Sequence, residues 1–283
     1  MKFAVFTASL PEWTPEEAVT KLAEQGWDGI EWRVVDQKPS SGSSGSAGFW
    51  QGNKCTWPQS SFNDDVPRIK QITEQAGLGM PSIGAYATSD QVDAVDALMR
   101  GAAALGVRQM RVPVGRPGPE GYNAAFEQRR KEYRTIQDLA KQHGVKALIE
   151  LHHQSLVSSA SAAARFCEGF DPEYVGVIHD IGNMLQEGYE FDPWSLEILG
   201  PYLAHVHVKN AAPVGTKAED ADRTDWTWRW APMRHGVANL PKLFAALKDH
   251  GWDGWVSVED FSSEVPLEER VADNLAYLKE IVG

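Results

Sequence analysis

Hydrophobic and polar positions follow two different periods along the chain, and segments with one period alternate with segments with the other. Short apolar stretches rich in valine, isoleucine and aromatic residues are typical of buried strands. Between them, apolar residues recur every three or four positions, which predicts amphipathic helices. The predicted strands cover residues 2–8, 27–35, 78–87, 107–114, 145–153, 174–183, 203–210 and 255–261. The predicted helices cover residues 14–26, 64–77, 89–106, 122–144, 158–170, 192–203, 238–251 and 266–283.

This alternation amounts to eight strand–helix units. Strands that alternate with helices favour an α/β fold with a parallel sheet. Eight units in 283 residues fit a closed (β/α)₈ TIM barrel better than an open doubly wound sheet. No Gly-x-Gly-x-x-Gly motif follows the first strand, which counts against a dinucleotide-binding fold. We therefore expect a single (β/α)₈ barrel domain over residues 1–283.

Two longer segments interrupt the pattern, and both follow the carboxyl ends of predicted strands. Residues 36–62, after strand two, are rich in serine and glycine, and residues 211–237 follow strand seven. A TIM barrel builds its active site at this end. We interpret both segments as lids over that site. A disordered surface insertion is the alternative for the serine- and glycine-rich part.

Charge and composition narrow the range of partners. The net charge is −12, a balance that repels nucleic acids and anionic lipids. The sequence contains no run of 18 apolar residues, so it predicts no membrane span. The first residues are interpreted as a strand, not a signal peptide. Two cysteines without a Cys-x-x-Cys spacing fit a reducing compartment. We expect a cytoplasmic protein that binds a small molecule. The sequence leaves open whether the chain forms a homo-oligomer.

Polar side chains are predicted to face the barrel interior near the ends of four strands. Alternate side chains of a strand point to opposite faces, and one face of a barrel strand packs against helices. In residues 203–210 (LAHVHVKN) the valines belong against the helices, which turns His205, His207 and Lys209 inward. The same reasoning assigns the inward face of strands five, six and eight to three carboxylates, Glu150, Asp180 and Glu259.

Three carboxylates and an imidazole would thus converge from four consecutive strands. Anions in a partly buried pocket need compensating positive charge, which a divalent cation provides directly. Oxygen-rich ligands with one imidazole suit Mn²⁺, Mg²⁺, Co²⁺ or Zn²⁺. The alternative is that each carboxylate forms its own salt bridge, for which Lys209 is an available partner. Convergence on adjacent strands favours the metal, and we predict one divalent ion.

Four short motifs at these strand ends, IELHH, HDIGN, HVHVKN and SVEDF, resemble the metal motifs of the xylose isomerase-like TIM barrel superfamily, a group of sugar phosphate isomerases and epimerases. The resemblance covers nearly the whole chain. It implies that a metal is held by Glu150, Asp180, His207 and Glu259. It also implies that Glu150 and Glu259 form an acid/base pair on opposite faces of the substrate, and that Asn183 contacts the substrate.

The sequence departs from that family pattern in two places. The epimerases carry a further glutamate shortly after the strand-five ligand, where Leu156 stands here. The arginine that usually follows the strand-seven histidine is displaced, the nearest being Arg223, Arg229 and Arg234. Endonuclease IV, another member, is disfavoured because it needs a richer histidine cluster. Inosose dehydratases share an HxHxKD pattern that HVHVKN nearly meets.

The resemblance therefore implies a divalent-metal-dependent sugar isomerase or epimerase. Such an enzyme moves a proton at the carbon beside a carbonyl, through an enediolate whose charge must be stabilised. A dehydratase or lyase acting on a keto-inositol or keto-sugar is one alternative. A carbohydrate-binding barrel without turnover is the alternative from another class. The sequence leaves the sugar, its stereocentre, its phosphorylation and the identity of the metal open.

Further contacts with a sugar or cyclitol substrate are predicted around the mouth. Eleven tryptophans are many for this length, and an indole stacks well on the apolar face of a sugar ring. The predicted contacts besides Asn183 are His152, Lys209, Arg229, Trp13 and Trp32. His205 is expected to support the metal site from below. The alternatives are lid or oligomer packing for the tryptophans, an ion pair for Lys209, solvent for Arg229 and a satisfied core position for His205.

Overall fold

The computed structural model describes residues 1–38, 48–218 and 222–283, and strands and helices alternate through them. The strands are β1 (Lys2–Phe6), β2 (Gly29–Val34), β3 (Thr56–Trp57), β4 (Ile83–Ala85), β5 (Gln109–Arg111), β6 (Lys146–Glu150), β7 (Val175–Asp180), β8 (Leu203–Val208), β9 (Asn210–Lys217), β10 (Thr224–Ala231) and β11 (Trp255–Val258). The α-helices are α1 (Pro15–Gln25), α2 (Phe62–Gln75), α3 (Val92–Leu105), α4 (Tyr122–His143), α5 (Ala160–Cys167), α6 (Ile181–Gln186), α7 (Asp192–Leu199), α8 (Leu240–Asp249) and α9 (Leu267–Val282).

Eight parallel strands close a barrel. Their order is β1, β11, β8, β7, β6, β5, β4 and β2, and β1 also pairs with β2, which joins the two ends of the sheet. The short β3 adds to β2 on the outside of this ring. The predicted (β/α)₈ TIM barrel is confirmed. Among the described residues, no helix combines the length and apolar character needed to cross a membrane.

The barrel strands divide their side chains as the alternation predicts. Val206 and Val208 of β8 belong to the hydrophobic core between sheet and helices. His205 and His207, on the opposite face of the same strand, are equally buried but lie inside the barrel. Phe6, at the carboxyl end of β1, stacks on His207 with ring centroids 5.9 Å apart, and a Cβ at Gly84 would come within 2.1 Å of its ring. A glycine is therefore required at that position of β4.

The first helix begins and ends where its sequence predicts. The Thr14 side chain accepts a hydrogen bond from the Glu17 amide, and the Glu17 carboxylate accepts one from the Thr14 amide. Pro15 occupies the first turn, where its missing N–H costs nothing. Gly26 ends the helix with a φ of 84°, a left-handed conformation that glycine adopts without a steric cost.

Two regions differ from the predicted elements. Residues 181–183 were assigned to the sixth strand but form the start of α6, because the Asp180 side chain caps that helix by accepting the Asn183 amide. The segment after β8, predicted as a long loop, contains the antiparallel hairpin of β9 and β10. Aromatic residues at alternate positions 226, 228 and 230 suit a strand better than a loop.

The segment after β2 is only partly described, since residues 39–47 lie outside the described ranges. Most of the serine- and glycine-rich part of the predicted lid falls there. The remainder is anchored to the barrel by the buried Asn53, whose side-chain amide donates to the Ala8 carbonyl at 2.9 Å. This anchor holds the nearby Trp50 over the barrel mouth, where it lies 4.8 Å from Phe261 between ring centroids.

Two tryptophans that we predicted to contact substrate are in the core, so those predictions are wrong. Trp32 is fully buried on the outer face of β2, where its indole N–H donates to the Thr73 hydroxyl of α2 at 3.2 Å. Trp13 is 7% exposed and packs within the same hydrophobic core. Strand alternation explains Trp32, because its neighbours Glu31 and Arg33 take the opposite face.

Replacing Trp32 with alanine tests this core assignment. We expect Trp32→Ala to lower the free energy of unfolding by about 3–5 kcal/mol, because a large buried side chain leaves a cavity. Urea denaturation followed by circular dichroism measures the change. Trp226→Ala is the matched control, since Trp226 is 67% exposed, and it should shift stability by less than about 0.5 kcal/mol. Equal stabilities for the two variants would contradict the assignment.

Candidate metal centre and active site

A cavity of about 340 Å³ opens at the carboxyl ends of the barrel strands. This volume is within the range of small-molecule sites. Its aromatic walls come from β1, from β10 and from the loops, namely Phe6, Trp50, Tyr86, Trp230 and Phe261. Polar groups are thus presented within an apolar enclosure, an arrangement typical of small-molecule sites.

Four polar side chains converge at the bottom of this cavity from four neighbouring strands. They are Glu150 at the end of β6, Asp180 at the end of β7, His207 on β8 and Glu259 just after β11. One oxygen or nitrogen atom from each lies within 4.8 Å of the others, and all four residues are buried. The structure therefore brings together the complete ligand set predicted from the strand pattern.

The imidazole of His207 is held in one orientation. Its Nε2 lies 3.1 Å from Oε2 of Glu31, a fully buried carboxylate on the inner face of β2. Its Nδ1 lies 3.2 Å from Oε1 of Glu259 and 3.5 Å from Oε1 of Glu150. No hydrogen-bond partner satisfies Nδ1 within the described residues. A carboxylate behind a histidine that turns its other nitrogen toward oxygen ligands is the usual setting of a metal-binding imidazole.

His205 lies below this group on β8. Its Nε2 is 3.0 Å from Oε2 of Glu31 and 3.0 Å from the Ser257 hydroxyl. His205 and His207 therefore share one carboxylate oxygen. Glu31 was not among the predicted site residues, although the alternation of β2 identifies it: Trp32 faces the helices, so Glu31 must face inward.

Each of the two glutamates offers one oxygen to His207 and gives the other to a cation. Oε2 of Glu150 accepts from the Arg111 guanidinium at 2.6 Å, and Oε2 of Glu259 accepts from Lys209. Lys209 also donates to Oδ2 of Asp180. Lys209 therefore forms the ion pair that the sequence analysis held as an alternative to a substrate contact, although it also lines the cavity.

The cations keep both glutamates ionised despite their burial. Burial raises the pKa of Glu150, but Arg111, His207 and Lys209 outweigh it and hold that pKa well below its usual range. Burial acts on Glu259 in the same way, and Lys209 and His207 lower its pKa. Asp180 differs, because burial and the two glutamates outweigh Lys209 and raise its pKa to about 7.

The cluster carries more negative than positive charge, and this balance indicates whether a cation fits it. With every group ionised, its carboxylates are Glu31, Glu150, Asp180 and Glu259, and its cations are Arg111 and Lys209. Four carboxylates against two cations leave two negative charges. Burial opposes a charge on His207, but Glu31 and Glu259 outweigh it and raise its pKa well above the usual value. A divalent cation bound at His207 Nδ1 would take the place of the proton on that nitrogen and offset the excess negative charge, so the residues fit a metal.

The loop after β6 adds two histidines to the cavity. His152, predicted to contact substrate, lines the cavity and stacks on His153 with ring centroids 4.4 Å apart. Nδ1 of His153 lies 3.1 Å from the Asn183 side-chain oxygen. Gln154 turns the chain with a φ of 57°, a left-handed conformation unusual for a residue other than glycine. The sequence analysis did not assign His153.

Asn183 connects this loop to the candidate ligands. Its side-chain nitrogen donates to Asp180 Oδ2 at 2.7 Å and to Glu150 Oε1 at 3.3 Å, and the residue lines the cavity. Arg111 was also missed by the sequence analysis, because the three-residue β5 carries too little alternation to define its inner face. Tyr86 stacks under the Arg111 guanidinium at 4.3 Å, which fixes it beside Glu150.

Arg229, predicted to contact the substrate, lies outside the cavity. It is exposed on β10 and forms an ion pair with Glu264 at 2.5 Å. The register of the hairpin explains this position, because Trp230 faces the cavity and the preceding residue must face away. Arg223 and Arg234 likewise pair with surface carboxylates, Asp225 and Asp273.

Comparison with known proteins agrees with this architecture. The model of the xylose isomerase-like TIM barrel family matches residues 19–281. The chain belongs to this family. An inosose dehydratase of Mesomycoplasma hyopneumoniae (strain 7448) is 24% identical over 174 residues, which cover 59% of this chain and 56% of the relative. An inosose isomerase of Halalkalibacterium halodurans is 27% identical over 132 residues, which cover 46% and 44% of the two chains.

The chain thus spans about half the length of the curated relatives it matches. Solved structures match it over nearly its full length at low identity, and they show the shared fold. The apo 3-keto-D-glucoside 4-epimerase from E. coli has a TM-score of 0.74, with 16% identity and 99% of each chain covered. A xylose isomerase-like TIM barrel protein from Mycobacterium smegmatis in complex with magnesium has a TM-score of 0.67, with 16% identity and 99% and 96% covered.

The contact between Glu31 and His207 leads to a prediction about metal affinity. Replacing Glu31 with glutamine removes the charge that orients and polarises the imidazole, and we expect metal to bind about 10- to 100-fold more weakly. Competition with a chromophoric chelator measures the affinity. Ser257→Ala is the matched control, because Ser257 contacts only His205 of the two histidines. Unchanged affinity in Glu31→Gln would show that Glu31 does not support the site.

Proposed function

We propose that this protein is a divalent-metal-dependent isomerase or epimerase of a ketose or keto-sugar. The observation that carries the proposal is the pairing of Glu150 and Glu259 around one cavity. Each has an oxygen neutralised by a buried cation and another directed at His207 Nδ1. Ionised carboxylates on two sides of a substrate are what removal and return of a proton require.

The metal would be held by Glu150, Asp180, His207 and Glu259. When bound, it would polarise a substrate carbonyl and stabilise the negative charge that develops on the oxygen after proton removal. Mn²⁺, Mg²⁺, Co²⁺ and Zn²⁺ all suit this ligand set. The magnesium complex of the related M. smegmatis protein supports a divalent ion in this family.

The two glutamates carry the proton chemistry. One carboxylate takes the hydrogen from the carbon beside the carbonyl, which is weakly acidic. Return of a proton by the other glutamate to the opposite face inverts that carbon, and return to the neighbouring carbon exchanges ketose for aldose. Arg111 and Lys209 keep the carboxylates ionised, which is the form that can accept a proton.

The walls of the cavity suit a sugar or cyclitol ring. Phe6, Trp50, Trp230 and Phe261 present apolar surfaces that stack on ring carbons and exclude water. His152, His153 and Asn183 present hydrogen-bonding groups toward the same space. The curated relatives named for inososes and the structural neighbour named for a keto-glucoside support a cyclic polyhydroxy ketone as substrate.

Dehydration of a keto-inositol or keto-sugar is the second candidate, and the histidine pair favours it. Loss of a β-hydroxyl needs a hydrogen-bonding group beside the leaving oxygen, and His152 and His153 stack where such an oxygen could lie. Burial and the neighbouring His152 lower the pKa of His153 to about 4. Leu156, at the place of the additional epimerase glutamate, is fully buried and contributes no carboxylate.

Solvent exchange of substrate hydrogens distinguishes these reactions. Metal-loaded protein would be incubated with a panel of ketoses, keto-glucosides and keto-inositols in deuterated water, and followed by proton NMR. An isomerase or epimerase incorporates deuterium beside the carbonyl of recovered substrate or its isomer. A dehydratase yields an enone or diketone, which absorbs in the ultraviolet.

Substitution of the glutamates ties the exchange to the proposed pair. We expect Glu150→Gln and Glu259→Gln each to slow exchange by about 10²–10⁴-fold, with metal content measured in parallel. Glu264→Gln is the matched control, because Glu264 is an exposed carboxylate paired with Arg229, and it should leave the rate unchanged. Binding of sugars without exchange or elimination in the metal-loaded protein would favour a non-catalytic barrel and contradict the proposal.

A further inference from the structure

Strand β10 carries three tryptophans on one face of the hairpin. Trp226, Trp228 and Trp230 occupy alternate positions, so their side chains point the same way. Trp230 lines the cavity, Trp228 is 37% exposed and Trp226 is 67% exposed. Aromatic surface therefore continues from the cavity wall outward along the hairpin.

The partner strand leaves this face open. In the antiparallel register, Trp226 lies opposite Gly215 of β9, Trp228 opposite Pro213 and Trp230 opposite Ala211. These three partners are small or compact residues. A Cβ at Gly215 would lie 3.1 Å from the Trp226 ring. The Trp226 indole therefore lies against the backbone of β9, and its 67% exposure shows that its outer side is open to solvent.

The two faces of the hairpin differ in chemistry. Thr227 and Arg229 alternate with the tryptophans and occupy the opposite face, where Arg229 pairs with Glu264. On the aromatic face, the tryptophans and the residues opposite them carry no charge, and Lys217, opposite Thr224, lies at the outer end of that face. The aromatic face is thus suited to a neutral, flat and partly apolar ligand.

We propose that this aromatic face binds a second sugar ring, so that the substrate is a glycoside or disaccharide. The reacting ring would enter the cavity, and the ring attached to it would stack on Trp228 and then Trp226. The proposal rests on the proposed function, because it names the substrate class of the same site.

Two features of the structure support a ligand longer than one ring. The cavity opens at the carboxyl ends of the barrel strands and is lined on one side by Trp230, so a ring attached to one bound in the cavity would meet the exposed part of β10. Alternate side chains of a strand are about 6.8 Å apart, which is comparable with the length of one pyranose unit. Successive tryptophans are therefore spaced for successive rings.

Glucose and cellobiose are suitable one-ring and two-ring probes, and their affinities can be measured by calorimetry on the metal-loaded protein. We expect cellobiose to bind roughly tenfold more tightly than glucose, as one added aromatic contact allows. That preference should disappear in Trp228→Ala and shrink in Trp226→Ala. It should persist in Trp228→Phe, which keeps an aromatic ring, and in the control Thr227→Ala on the opposite face.

Three results would overturn the proposal. Equal affinities for the two sugars, or no binding of either, would show that the aromatic face adds nothing to sugar recognition. A preference unchanged in Trp228→Ala would place the second ring elsewhere. A dimer in sedimentation velocity that dissociates in Trp226→Ala would show that a second copy of the chain covers this face.

The proposed function is tested by separate measurements. Metal content and solvent exchange with single-ring substrates do not involve Trp226 or Trp228. If both are found and the cellobiose preference is absent, the second-ring proposal fails while the proposed function stands. If neither is found, the proposed function fails whatever the sugar affinities are.

Discussion

Crowding of carboxylates at one end of the barrel is the constraint on which the rest of the site depends. Glu31, Glu150, Asp180 and Glu259 are buried within one group, where their mutual repulsion is only weakly screened. Burial alone would protonate them. The surrounding positive charges, together with the cation that the group fits, allow the glutamates to stay ionised.

The two oxygen atoms of each glutamate, Glu150 and Glu259, have different partners. The outer oxygens of the two glutamates are held by Arg111 and Lys209, and the inner ones face His207. A shared metal site and an acid/base pair can therefore use the same two residues. The barrel makes this arrangement possible, because parallel neighbouring strands end at the same level with fixed side-chain alternation.

Much of this could be predicted from the sequence, and the remainder could not for physical reasons. Residues such as His207 and Glu259 lie on strands whose valines define the outer face, so alternation was sufficient to orient them. Arg111 lies on a strand of three residues, which is too short for that argument. Trp32 was predicted at the mouth on its aromatic character alone. On β2 its side chain points to the face opposite that of its neighbour Glu31, which argues for the core. The alternating tryptophans of β10 suit a strand, but β9 contains a proline and a glycine and carries little strand character, so the hairpin was not predicted.

Metal content is the most direct test of the account, because it requires no knowledge of the substrate. Purified wild-type protein and the Asp180→Ala variant would be analysed by plasma mass spectrometry after dialysis against Mn²⁺ and removal of free ion, with circular dichroism to establish that both are folded. The account predicts close to one divalent ion per wild-type chain and its loss in the variant. Folded wild-type protein that retains no metal would contradict it, and the buried carboxylates would then be balanced by Arg111, Lys209 and a protonated His207 alone.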